Sequence, residues 1–190
     1  MNNPEIAIQD TQRWLERAVI GLNLCPFAKA VHVKGLIRYA VSEATTTTEL
    51  LADLKNELNS LSNMDVASVS IAYDTTLLIA PYCLQDFLDF NDFLAKADKL
   101  IAKMKLEGTL QLANFHPQYQ FAGTEPDDIT NFTNRAPYPT LHLLRESSID
   151  QAVQAFPEAE AIFEVNMATM ERLGVQGWDD LGVGKTSSKT

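Results

Sequence analysis

Two cysteines, Cys25 and Cys83, are too few for a disulfide framework, so both are expected as reduced thiols and the compartment as the cytoplasm. Positive charge is also scarce. Fifteen Lys and Arg stand against 25 Asp and Glu, a formal net charge of −10, and the basic residues form no run. Binding to a polyanion needs clustered cations, so nucleic acid is not expected as a partner. No apolar stretch approaches the roughly 20 residues that cross a bilayer, so no membrane association is expected. The opening Met1-Asn2-Asn3-Pro4-Glu5 lacks a basic segment leading into an apolar one, and no secretory signal is expected either. For a cytoplasmic chain the sequon Asn131-Phe132-Thr133 is then coincidental. Repeats and linker-like composition are missing as well. One domain over residues 1–190 is expected, with a loose tail after about Leu181.

What is present is the patterning of an α+β domain, with 46% hydrophobic and 21% charged residues. Asn3 and Pro4 cap a first helix carrying Ile8, Trp14, Leu15, Ala18, Val19 and Leu22. Alternation over residues 31–41 predicts a half-exposed strand, with His32 facing solvent. Thr46 and Glu49 form a capping box before Leu50, Leu54, Leu58 and Leu61, a second helix. Residues 67–80 read as one long strand or two short ones, ended by Pro81. Phe87, Phe90, Leu94, Ala97, Ile101 and Met104 mark a third helix stopped near Gly108. Strands follow over 109–115 and 139–146, the latter central because Leu141, Leu143 and Leu144 point both ways. Ser147 and Asp150 predict a capped helix through Phe156, and Pro157 the start of another ending before Gly174. The sum is helices packed on a mixed sheet of about four or five strands.

Residues 116–138 have neither a helical nor a strand period, and a connection that long inside a compact domain is functional or disordered. Its aromatics and prolines argue for order. Its polar density marks it as the candidate site. His116 at one end and His142 just beyond the other would meet if their strands are antiparallel neighbours, giving a candidate acid/base pair. Tyr119, Gln120, Asp127, Asn131, Asn134, Arg135, Arg145 and Glu146 are the candidate ligand-binding residues around it. Arginine favours carboxylate and phosphate, which points to a small anionic ligand. The bland alternatives stand beside these: Asx turns for Asp127, Asp128 and Asn131, an internal ion pair for the arginines, a satisfied core residue for His142. Cys25 is a candidate nucleophile, although burial and a preceding helix C-terminus both disfavour a thiolate. His116, His142 and an aspartate could supply three metal ligands, but no short ligand spacing supports this and no metal is assigned. No cofactor is identified. Gly184-Lys185-Thr186 mimics the end of a phosphate loop, but Asp179 occupies the position of the first glycine and the motif is discarded.

Three segments carry a resemblance: NLCPFA from Asn23, FHPQYQFAG from Phe115 and TNRAPYPTLHLLRE from Thr133. In this order they resemble an uncharacterised bacterial family, domain of unknown function 1415, across nearly the whole chain. The matching positions include Cys25, Pro26, His116, Gln120, Asn134, Arg135, His142, Arg145 and Glu146. That resemblance implies no established activity or cofactor. Residue chemistry therefore leaves an enzyme using histidine acid/base chemistry on an anionic metabolite, a non-catalytic binding protein, and an interaction domain in competition.

The cysteine reading is directly testable. Protein kept reduced during purification, then denatured in an alkylating reagent, should take up a label at both Cys25 and Cys83 by mass spectrometry. A Cys25–Cys83 disulfide in that material would contradict it.

Overall fold

A computed structural model describes residues 3–63, 73–155 and 161–186. Four strands form one mixed sheet: β1 (Ile37–Val41), β2 (Thr75–Ile79), β3 (Leu110–Phe115) and β4 (Thr140–Arg145), in the order β1-β2-β4-β3. β1 and β2 are parallel, and β4 runs antiparallel to both β2 and β3. The α+β expectation holds, and β4 does lie inside the sheet.

Strand alternation gives the sheet two apolar faces. On one, Leu78, Leu110, Leu141 and Leu143 pack against α3 (Thr47–Ser62) and α4 (Phe87–Lys103). α3 starts at the anticipated capping box, with Thr46 and Glu49 satisfying each other's backbone N–H, and buries Leu50, Leu54, Leu58 and Leu61 completely. In α4 the Asp86 side chain accepts from the N–H groups of Leu88 and Asp89, and Phe90, Phe93, Ala97 and Ile101 turn inward. On the other face, α1 (Pro4–Trp14) brings Ala7 against Ile79 and Tyr138, and Trp14 against Phe115. α1 runs on into a π-helical turn, Leu15–Ile20. No described helix is long and apolar enough to cross a membrane.

Several boundaries differ from the sequence expectation, each for a local reason. Residues 31–33 belong to a short helix, α2 (Ala28–Val33). The Gly35 N–H bonds to His32 O and the Leu36 N–H to Val31 O, with Gly35 at φ 67°, a Schellman stop that ends the helix before β1 begins at Ile37. Val31 and Val33 fit a strand alternation equally well, so periodicity alone misreads them. Of the predicted strand over 67–80, residues 67–72 lie outside the described ones. α5 (Glu146–Ala155) follows β4 directly, so Ser147 sits within its first turn instead of capping it, while Ser148 Oγ donates to Asp74. Phe156 and Pro157 lie outside the described residues. α6 (Ile162–Asp180) breaks at Gly174 (φ 68°, ψ 173°) as expected, but the helix then resumes and carries Trp178 into the core.

Hydrogen bonds tie residues 181–186 to the first helix and its π-helical turn. Arg13 donates to the carbonyls of Gly182 and Gly184, and Arg17 to that of Leu181. Asp10, wholly buried, accepts from Arg13, the Tyr138 hydroxyl, and both the N–H and hydroxyl of Thr186. Burial alone would raise the Asp10 pKa, but the bonds from Thr186, Tyr138 and Arg13 outweigh it and hold the carboxyl below its ordinary value. Asp10→Ala leaves the Tyr138 hydroxyl without its acceptor and should cost about 3 kcal/mol or more of stability. Limited proteolysis should then cut the 182–186 segment faster than in the wild type. Unchanged stability and cleavage would contradict this anchoring role.

Candidate functional site

His116 follows β3 and turns toward α4, where its ring packs on Phe87 and Phe90 at 5.4 and 5.0 Å. It is completely buried. Nε2 lies 3.0 Å from Leu84 O and Nδ1 accepts the Gln118 N–H at 3.0 Å, which uses both nitrogens of a neutral ring. Burial lowers its pKa, keeping it neutral. His142 pairs with Leu77 and Ala113, so it projects from the opposite face, near Phe115. The Thr75 hydroxyl donates to Leu143 O at 2.6 Å and so accepts from His142 Nε2 at 2.7 Å. That leaves Nδ1 deprotonated and without a partner among the described residues. Burial pushes the His142 pKa down to about 4.

The two histidines therefore do not share a pocket, although β3 and β4 are antiparallel neighbours as anticipated. The reason is face, not distance. Residues 110, 112 and 114 share one side of β3 and His116 continues to that side, whereas His142 lies opposite Ala113 on the other. Arg145 and Glu146 are also set apart from the group around the loop, because Arg145 lies five residue steps along β4 from Thr140, about 17 Å at strand rise. Arg145 donates to Leu61 O and lies 3.6 Å from Asp74; the Glu146 N–H bonds to Thr109 O.

Most of the polar loop serves its own backbone. Asn131, fully buried, accepts from the Phe121 N–H and the Thr124 hydroxyl and donates to Glu125 O. Asp128 caps a 3-10 helix (Ile129–Asn134), an element with no visible period in the sequence. Gln120 donates to Thr124 O, Asn134 to Asn114 O, and Tyr119 packs between Phe87, tilted, and Phe121, edge to face. Asp127 is exposed. Cys25 and Cys83 are free thiols. Burial raises the Cys25 pKa against weaker help from the N–H groups of Phe27 and Ala28, and no histidine hydrogen-bonds to it among the described residues. Among those residues, too, no three His, Cys, Asp or Glu cluster as metal ligands would.

Arg135 is different. It lines a cleft of about 230 Å3 together with Trp14, Phe132, Pro137, Trp178 and Lys185. Its guanidinium stacks on Phe132, Cζ 4.0 Å from the ring centre, and donates to Tyr119 O and Pro126 O. The remaining N–H groups of the fork have no protein partner among the described residues. Lys185 lies 5.0 Å from the Tyr138 ring centre and donates to Gln85. Neither cation forms an ion pair among the described residues, and burial lowers the pKa of both, partly offset at Lys185 by Asp10. Trp14, 2% exposed, has a buried Nε1–H with no acceptor among the described residues. Phe132 and Trp178 meet edge to face at 5.3 Å.

The sequence reading missed Trp14, Trp178 and Lys185. Both tryptophans of the chain stand in this cleft, and Lys185 belongs to the discarded Gly-Lys-Thr segment. A second, larger groove of about 550 Å3 runs past Asp86, Asp89 and Asp92 and has the wrong sign for an anion.

A family model described as "Protein of unknown function (DUF1415)" matches residues 6–180. No curated protein and no solved structure matches the chain.

His142 makes a pH prediction. Its ordinary pKa of 6.5 is depressed to about 4 in the fold, so as pH falls the unfolded chain takes up a proton that the folded ring refuses. Stability attributable to this ring is intact above about pH 6.5 and is lost between there and about pH 4, by up to roughly 3 kcal/mol. Urea midpoints should decline less steeply over that window in His142→Leu than in the wild type. Equal slopes would contradict it.

Proposed function

The chain belongs to this family, and since the family's description assigns no chemistry, we propose a function from the chain's own geometry: it binds a small anionic metabolite in the cleft between Arg135 and Lys185. The observation that carries this reading is a half-buried arginine and an exposed lysine, neither in an ion pair among the described residues, lining one cleft of a chain with net charge −10. Excess acid elsewhere makes unpaired basic groups at one concave site the more telling. An anionic ligand would supply the hydrogen-bonding counterion that the described chain does not give these two groups. Unpaired thiols support a cytoplasmic setting for such a ligand.

Binding without histidine catalysis fits better than acid/base turnover. His116 uses both ring nitrogens on the protein backbone, and His142 projects from the other face of the sheet. Neither is a lining residue of the cleft.

Phosphate or citrate should raise the melting temperature of the wild type, by an amount equivalent to about 3 kcal/mol at a hundredfold excess over Kd. Arg135→Ala and Lys185→Ala should each lose most of that protection. Lys96→Ala, on the acidic groove, should keep it. Equal protection of all four proteins would remove the basis for an anion site.

A further inference from the structure

Apart from its two cations, the cleft is walled by Trp14, Phe132, Trp178 and prolines. A small, fully hydrated anion could meet Arg135 and Lys185, but it would have to shed water against the apolar walls without replacing those hydrogen bonds. Its apolar remainder would stay open. At interior packing density the 230 Å3 holds roughly ten non-hydrogen atoms, more than inorganic phosphate fills. The Arg135 guanidinium is planar and sits over the Phe132 ring, and such a fork matches a carboxylate in two parallel hydrogen bonds.

Resting on the anion-site reading above, we infer that the ligand is a carboxylate carried on a flat apolar or aromatic body. Its carboxylate lies between Arg135 and Lys185, and its body lies against the apolar wall of Phe132, Pro137 and Trp178. Lys185 reaches this position only because Thr186 next to it is tied to Asp10.

The chain supplies its own reporter. It has two tryptophans, and both line the cleft, so tryptophan emission reads this cleft alone. Emission should be followed while the wild type is titrated with benzoate, acetate, inorganic phosphate, benzylphosphonate and benzylamine. Benzoate should saturate at a concentration about tenfold or more below acetate and phosphate, with benzylamine giving no saturable change. Arg135→Gln and Lys185→Gln should each weaken benzoate by about tenfold.

Phosphate or acetate saturating as readily as benzoate would overturn the flat-body inference while leaving the anion site standing. Benzylphosphonate binding more tightly than benzoate would overturn the carboxylate head group. Benzylamine binding as well as benzoate, or no response to any anion, would overturn both readings together.

Discussion

A carboxylate cannot be buried as an anion without donors for its lone pairs, and Asp10 sits at the centre of this molecule in that condition. Its donors come from three parts of the chain, two of them remote: Arg13 in its own helix, Tyr138 ahead of β4, and Thr186 beyond α6. Meeting that requirement draws together α1, the long connection and the end of the described chain. The cleft is made of the same parts. Trp14 lies four residues on from Asp10, Arg135 three before Tyr138, and Lys185 next to Thr186.

What was legible in the sequence was what local chemistry decides. The Thr46–Glu49 cap and the leucines of α3, the phenylalanines of α4, and the stop at Gly174 each depend on neighbours within a turn or two. The first strand's boundary was misread because two turns of helix and a strand place Val31 and Val33 equally well. The segment 182–186 could not be read at all. Its partner Asp10 is 176 residues from Thr186, and no local pattern announces a contact of that range.

The candidate residues are dispersed for physical reasons. Polar density drew attention to residues 116–138, yet a long connection packed into a domain must satisfy its own peptide groups. Asn131, Asp128 and Gln120 do that work. The histidine pair failed on parity, since a sequence shows which strand a residue follows but one residue of offset changes the face. Arg135 stands apart because its donors outnumber its protein acceptors.

The π-helical turn over Leu15–Ile20 has a consequence for how this chain tolerates change in length. Such a turn is an α-helix holding one extra residue, and excising that residue restores regular α geometry. Because the wide turn absorbs its extra residue, excision leaves the angular relation of the two flanks nearly unchanged. Asp10 and Trp14 lie on one side, and the chain leading to Cys25 and β1 on the other. A single-residue deletion within Leu15–Ile20 should therefore be accommodated, whereas the same deletion between Asp10 and Trp14, in regular α-helix, would turn one against the other by about 100°, the angular step of one helical residue, and part the buried carboxylate from the cleft's indole.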